Sequence, residues 1–320
     1  MLAASVTVFL ATIVATGLVL KLLRRHAIFD HPNERSSHTK LTPRGGGIAV
    51  ITILILTWGY LAPSEHRLEI FTIIAAATLL AGVSWIDDLR TLSPAIRLVA
   101  QLIAILPALF WMNLEGTIFQ SFIPEPVVLV LAGFIWVWFI NLFNFMDGID
   151  GISGVESAAI GVGITIVVMR TEEAGIDPRL AATVAAGAIG FLCWNWHPAK
   201  VFLGDVGSVP LGFLLGWLLL NLANSGTWAA AAILPLYYFA DATITILRRA
   251  LRGEKVWHAH REHFYQRAVQ NGRSHAIVSS SVAACNLVLI CLAIYSITEP
   301  WIALAVATAA VLAFLAWLSR

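Results

Sequence analysis

Charge is what this chain has least of. Only 12% of its 320 residues are Asp, Glu, Lys or Arg, where a soluble globular chain carries roughly 25%. That shortage excludes a fold solvated on every side. Cysteine is scarce too, and the three present, Cys193, Cys285 and Cys291, each lie inside an apolar run. An odd number in such places excludes a disulfide framework, argues against a thiolate metal site, and predicts small core residues. No clear internal repeat is visible, and no polar stretch is long enough to make a soluble domain at either end. The formal net charge of +1 decides nothing alone.

Apolar sequence is what the chain has instead. With 59% hydrophobic residues and 12 tryptophans, runs approaching bilayer length recur throughout. Eleven are read, at about 2–23, 46–62, 68–86, 95–112, 126–143, 153–170, 179–196, 207–223, 227–247, 276–297 and 300–319. In the first, Lys21, Arg24 and Arg25 follow the apolar residues instead of preceding them, which predicts a retained helix and not a cleaved signal. With the N-terminus outside, all lysines and arginines except Arg67, Arg170 and Arg179 fall on the inner side, 17 of 20. The positive-inside rule then predicts an all-α, polytopic membrane domain over 1–320, with eleven transmembrane helices, N-terminus outside and C-terminus cytosolic.

The outer loops are short and plain; Glu65, Glu115, Glu125, Glu172 and Glu173 read as solvated loop charges. Chemistry has to come from the inner loops. The centre is Asn141-Leu-Phe-Asn144-Phe-Met-Asp147-Gly-Ile-Asp150-Gly151, two amides and two carboxylates at steps of three. At about 100° per helical residue each step drifts by roughly 60°, so neighbours share a face while the first and last do not. Gly148 and Gly151 break the helix and let Asp150 swing back toward the others. A polar helix end before a glycine turn is the plainer reading of this stretch alone. Further clusters on the same side weigh against it.

The first inner loop runs from Asp30 to Gly47, with Pro32 and Pro43 to stop helices and Gly45, Gly46 and Gly47 opening the next span. Arg35, His38, Lys40 and Arg44 around a glycine-rich helix start make a candidate anion cradle, against the simpler reading of a basic loop obeying positive-inside. Asp87 and Asp88 end the third run, pointing about 100° apart, so one can face a site while the other holds a neighbour. Arg97 follows, with Gln101 one turn deeper; snorkelling is its ordinary fate. In Asn195–Ser208, Asp205 sits among glycines where backbone can approach a ligand, and a lone aspartate there suits Mg²⁺. Asp241 lies inside the ninth run. Beyond it come Arg248, Arg249 and Arg252, then Trp257-His258-Ala259-His260-Arg261-Glu262-His263-Phe264-Tyr265. No HExxH pattern supports zinc there; phosphate binding, or an amphipathic headgroup-hugging helix with Trp257 and Tyr265 at the interface, fits better.

Taken in order, DxPNxRSSHxxxTPRGGG, Asp87-Asp88, NxxNxxDGxDG, PAKxFxGDxGS and HxHRxH resemble the polyprenyl-phosphate N-acetylhexosamine-1-phosphate transferases (glycosyltransferase family 4), from Asp30 to Arg267. Members move a sugar-1-phosphate from a UDP-sugar to undecaprenyl phosphate and release UMP. The resemblance is strongest to the branch that starts lipopolysaccharide O-antigen units. Where the muramoyl-pentapeptide branch carries three consecutive histidines, His258, His260 and His263 are separated by other residues, which argues against a pentapeptide substrate. Arg97 stands where many members have lysine, and grips a phosphate differently.

The resemblance implies that Asp205 and Asn144 bind Mg²⁺ (with Mn²⁺ able to substitute), and that Asp87 or Asp88 deprotonates or orients the lipid phosphate. Asp147, His260 and His263 join the catalytic set. Arg35, His38, Lys40, Arg44, Arg97, Asn141, Asp150, Lys200, Asp241, His258 and Arg261 hold substrates. The implied partners are a UDP-N-acetylhexosamine, undecaprenyl phosphate and membrane lipids, with no nucleic acid and a homodimer as candidate assembly. The implied place is the bacterial cytoplasmic (inner) membrane, with the active site on the cytosolic face. A secondary transporter and a non-catalytic scaffold of a glycan-assembly complex are the rival classes. Against the transporter, the acids gather at one face instead of the midplane.

Overall fold

The computed structural model describes residues 1–30, 40–112, 124–171, 175, 177–255 and 260–320. Helices α1 (Leu2–Arg25), α2 (Gly47–Leu61), α3 (Arg67–Leu89), α4 (Pro94–Trp111), α5 (Glu125–Phe145), α6 (Ile152–Arg170), α7 (Pro178–Asn195) and α8 (Asp205–Leu222) come first. A π-turn, Ala223–Thr227, leads into α9 (Trp228–Ile233), followed by α10 (Leu236–Leu251), α11 (Phe264–Gln270), α12 (His275–Tyr295) and α13 (Pro300–Leu318). The one ladder among the described residues is small: β1 (Phe29–Asp30) pairs antiparallel with β2 (Thr42–Pro43). It brings together the two ends of the first inner loop.

Helix ends follow the local sequence. Ser93 and Ser274 accept hydrogen bonds from the Ile96 and Ile277 amides and so start α4 and α12. Asp177 does the same for α7, ahead of Pro178 at the first helical position. Gly151, at φ 81°, makes the left-handed entry to α6. Among the described residues eight helices are long and apolar enough to cross a membrane, counting α8 with its continuation to Ile233 as one. α2 is apolar but short, and α7, with Pro178, Arg179 and Asn195 at its ends, is not among the eight.

The ninth expected span differs. Residues 227–247 do not form a single helix: α9 and α10 are separate, with Pro235 between them. The buried face of α10 is partly polar, with Asp241, Thr245 and Arg249 spaced four apart. That stripe binds protein, not lipid.

α8 is the axis of the bundle. The apolar window from Asp205 to Ile233 is 83% buried, against 28% for α1 and α13, and α8 packs between α3, α5 and α2. Trp136 of α5 stacks on Phe213 at 4.9 Å and donates its indole N–H to the Phe213 carbonyl. The outermost helices expose Leu10, Val14, Leu18, Leu312 and Trp301, the apolar exterior of a protein whose solvent is lipid. Cys193 and Cys291 are exposed on this exterior, which corrects the expectation of core residues for these two, while Cys285 is partly buried against the core.

The ends of α1, α3, α5 and α7 meet the starts of α2, α4, α6, α8 and α12 at one pole, where the polar loops gather. At the other, His66, Trp111, Asp177 and Asn221 line a shared cavity of ≈ 300 Å³. The basic-residue count of the sequence predicts that this polar-loop pole faces the cytosol. A membrane-impermeant thiol reagent is expected to label Glu65→Cys and not Glu254→Cys in intact cells. The reverse pattern would refute that assignment.

Candidate active site

Asp205 opens α8 after Gly204, whose φ of 76° and contacts leave no space for a side chain: an added Cβ would lie 2.9 Å from the Asp88 carboxylate. Asp88 accepts hydrogen bonds from the Asp205 and Val206 amides at 3.1 and 3.0 Å, two of the donors that a helix start leaves unpaired. The Arg44 guanidinium lies between the two carboxylates, 2.6 Å from Asp205 and 2.8 Å from Asp88. Burial alone would lower the Arg44 pKa, but Asp205 and Asp88 outweigh it and raise it, so the cation is permanent.

The glycines before α2 serve this junction. The Gly45 and Gly46 amides donate to the Phe202 carbonyl and the Gly47 amide to that of Leu203, while Gly47 touches Gly207 so closely that neither could carry a side chain. The anion-cradle expectation is corrected here: these N–H groups are already used by protein carbonyls. The glycines around Asp205 likewise admit protein, not ligand.

Asp87 points elsewhere. Its carboxylate accepts from the Leu92 amide at 2.6 Å and lies 3.4 Å from Arg97. With Arg97, Asn141, Asn144 and Asp205 it lines a cavity of ≈ 20 Å³, room for one ion or water. Asn144 donates its amide N–H to the Ser208 hydroxyl at 2.9 Å, and that hydroxyl donates on to the Gly204 carbonyl. The carbonyl oxygen of Asn144 is therefore the atom left for a cation. Carboxylate and amide oxygens around an ion-sized space are the hard donors that Mg²⁺ takes, so the residues fit that ion. Asn141 lines the same cavity and is paired with Gln101 through both amides, at 2.7 and 3.4 Å.

Asp147 lies beside this cluster, close enough for the charges of Asp205, Arg44 and Asp88 to act on it. Burial pushes its pKa up to about 7; the Ser153 hydrogen bond opposes the shift and the Asp205 charge adds to it. At neutral pH it therefore has both a donor and an acceptor form. Beneath it, the Tyr265 hydroxyl donates to the Phe145 carbonyl at 3.1 Å and fills the space over Gly148. Tyr265 is fully buried, which corrects its expected interfacial placement.

Two more of the expected site residues are buried. Asp241, wholly buried, accepts from the Phe264 and Tyr265 amides at 3.0 and 3.2 Å and lies 3.2 Å from His263 Nδ1. It caps α11. His263, 2% exposed, belongs to the same cap. Asp88, with its side chain 1% exposed and held by protein donors, sits against the start of α8 and positions Asp205.

The remaining site residues scatter. His260 is partly buried, and burial, His263 and the Arg249 cation push its pKa down to about 4, so at neutral pH it is no cation for a phosphate. Arg261 and Lys40 are exposed at the site pole, and exposed Lys200 lies over the Trp194 ring at 5.3 Å. Asp150 does not swing back to Asn144 and Asp147; it pairs with His197 and His275. Arg35, His38 and His258 lie outside the described residues. Ser208, Ser153, Tyr265 and His275 were not singled out from sequence for these contacts. For His275 the capping serine before it was the only signal.

Residues 70–223 match the sequence profile described as glycosyl transferase family 4. The chain is 27% identical over 294 residues to a probable undecaprenyl-phosphate N-acetylglucosaminyl 1-phosphate transferase of Bacillus subtilis (strain 168), covering 84% of this chain and 78% of that one. It is 26% identical over 306 residues to the decaprenyl-phosphate N-acetylglucosaminephosphotransferase of Mycobacterium leprae (84% and 77%). A phospho-N-acetylmuramoyl-pentapeptide-transferase of Microcystis aeruginosa is 27% identical over 259 residues (73% and 70%). The matched segment holds Asp87, Asp88, Asn144, Asp147, Asp150 and Asp205.

Proposed function

We propose that this protein transfers an N-acetylhexosamine-1-phosphate from a UDP-sugar to undecaprenyl phosphate, releasing UMP and forming the first lipid-linked sugar of a cell-surface polysaccharide. The observation that carries the reading is the ion-sized cavity lined by Asp87, Asp205, Asn144 and Arg97, with Arg44 against Asp205. Two anions must meet there for displacement at phosphorus, and fixed cations offset their repulsion. Arg44 and Arg97 supply that charge at opposite sides of Asp205 and Asp87. Asp147 donates to or accepts from the nucleotide-sugar. Asp87 orients the lipid phosphate and takes its proton. A lipid phosphate oxygen then bonds to the phosphorus carrying the sugar, while the bond from that phosphorus to the bridging oxygen breaks and UMP leaves with the electron pair. Asp205 and Asn144 would hold Mg²⁺, which when bound offsets the negative charge of the pyrophosphate.

An O-antigen role is our finer reading, supported by the separation of His258, His260 and His263 where the pentapeptide branch has consecutive histidines. The donor sugar, GlcNAc, FucNAc or QuiNAc, is to be read from a screen of UDP-sugars. Purified protein in detergent is expected to release UMP from UDP-GlcNAc or a related donor only with undecaprenyl phosphate and Mg²⁺, to stop in EDTA, and to recover with Mg²⁺ or Mn²⁺. A transporter or scaffold would release none. Full activity in EDTA would remove the metal from the reading and leave the transfer.

A further inference from the structure

Asp150 is turned away from the cavity, into a cluster of its own. His197 Nδ1 lies 2.6 Å from Asp150 Oδ2, and His275 Nδ1 lies 3.3 Å from Oδ1. The three come from the turn after α5, the loop before α8 and the first residue of α12. All three ligating atoms lie within 4.8 Å of one another. The frame behind them is fixed: Ser279 donates to the Asp150 carbonyl at 2.7 Å, and the Gly151 amide donates to Asn195 at 3.0 Å. Asp150 and His275 are buried, while the His197 side chain is 38% exposed and opens the cluster to solvent.

We propose that Asp150, His197 and His275 bind a divalent transition metal of the Zn²⁺ class, at a site separate from the Asp205 cavity. Two imidazole nitrogens and one carboxylate suit such an ion and leave a fourth position for water, whereas Mg²⁺ prefers oxygen alone. A phosphate is disfavoured because the middle ligand is an acid.

His275 also argues for a cation. Its Nδ1 faces the Asp150 carboxylate at 3.3 Å and the Asp150 amide N–H at 3.4 Å. One ring nitrogen carries either a proton or a lone pair, so it cannot serve both. With the lone pair exposed, nitrogen and carboxylate face each other as two acceptors, and a metal ion between them removes the conflict. Tetrahedral bonds of about 2.0–2.1 Å put ligand atoms roughly 3.3 Å apart. The His275–Asp150 pair already has that spacing, and exposed His197 is the ring that turns to complete it.

The test uses full-length, tag-free protein in detergent, stripped with a chelator and dialysed into excess Mg²⁺ so that the Asp205 cavity does not compete. Zn²⁺ is expected to bind in a one-to-one ratio and to raise the melting temperature, since it binds only the folded chain. Co²⁺ in its place should give a visible ligand-field band. His197→Gln and His275→Gln should each weaken Zn²⁺ by roughly tenfold or more and remove the band. His197 is exposed, so its variant decides the matter if the buried His275 variant does not fold. No Zn²⁺ on the stripped wild type, or binding unchanged in His197→Gln, would overturn the site and leave Asp150 as a metal-free clamp between two histidines. Neither result touches the transfer reaction, whose assay reads UMP.

Discussion

Asp205→Ala is expected to abolish UMP release while leaving the melting temperature of the protein close to that of the wild type. Fold and function separate here because Asp205 and Asp88 divide the work. The start of α8 is capped by Asp88, through the Asp205 and Val206 amides, and both amides remain in the alanine variant. Arg44 also keeps its partner, since Asp88 lies 2.8 Å from it. What disappears is an 18% exposed carboxylate at the edge of the cavity, the strongest oxygen donor that the proposed Mg²⁺ has. A loss on the order of 10²–10³-fold in kcat is the least to be expected, the range for removing one stabiliser of developing charge. Asp88→Ala should do the opposite to stability: it uncaps α8 and leaves Arg44 with half its counter-charge, so the melting temperature falls as well. An Asp205→Ala enzyme that kept more than about a tenth of its activity would take Asp205 out of the metal site.

The sequence showed the helices because each carries its own signals. Ser93 before Pro94, Asp177 before Pro178 and Gly151 before Ile152 are local features, and the structure starts α4, α7 and α6 at them. The polar clusters were equally visible, since lipid excludes such groups unless they are paired or used. Their partners were not. Asp87 and Asp88 are adjacent, and helix geometry says only that one can face a site. The choice was made by Gly204, more than a hundred residues away, whose missing side chain admits Asp88 to the start of α8. Glycines beside Arg44 and Asp205 looked like openings for a ligand; they turn out to be the surfaces on which α2 and α8 meet. Asp150 was misplaced for a related reason, because nothing within its own turn signals His275. The ninth span is a different miss: Pro235 stood in the sequence as a visible break, and hydrophobicity on both sides obscured it.

Asp87→Asn is expected to cut kcat on the order of 10²–10⁴-fold, the usual range for losing a positioned general base. Asparagine keeps the size of the side chain but donates where the carboxylate only accepts. The Leu92 amide donates to Asp87 at 2.6 Å and the Arg97 guanidinium pairs with it at 3.4 Å, and both would lose an anionic partner. The same carboxylate could serve a different mechanism, attacking the UDP-sugar to form an aspartyl-phosphate. The two routes differ in one observable. A nucleophilic Asp87 would give a burst of UMP from UDP-sugar alone and exchange labelled UMP back into it. A base or orienting group gives neither until undecaprenyl phosphate is present. Geometry favours the second. Asp87 is held from two sides by donors, which suits a group that must stay in place, and the lipid phosphate is itself an anionic nucleophile that needs positioning and charge relief more than a covalent detour. UMP exchange in delipidated protein, lost in Asp87→Asn, would reverse this choice while keeping Asp87 at the centre of the reaction.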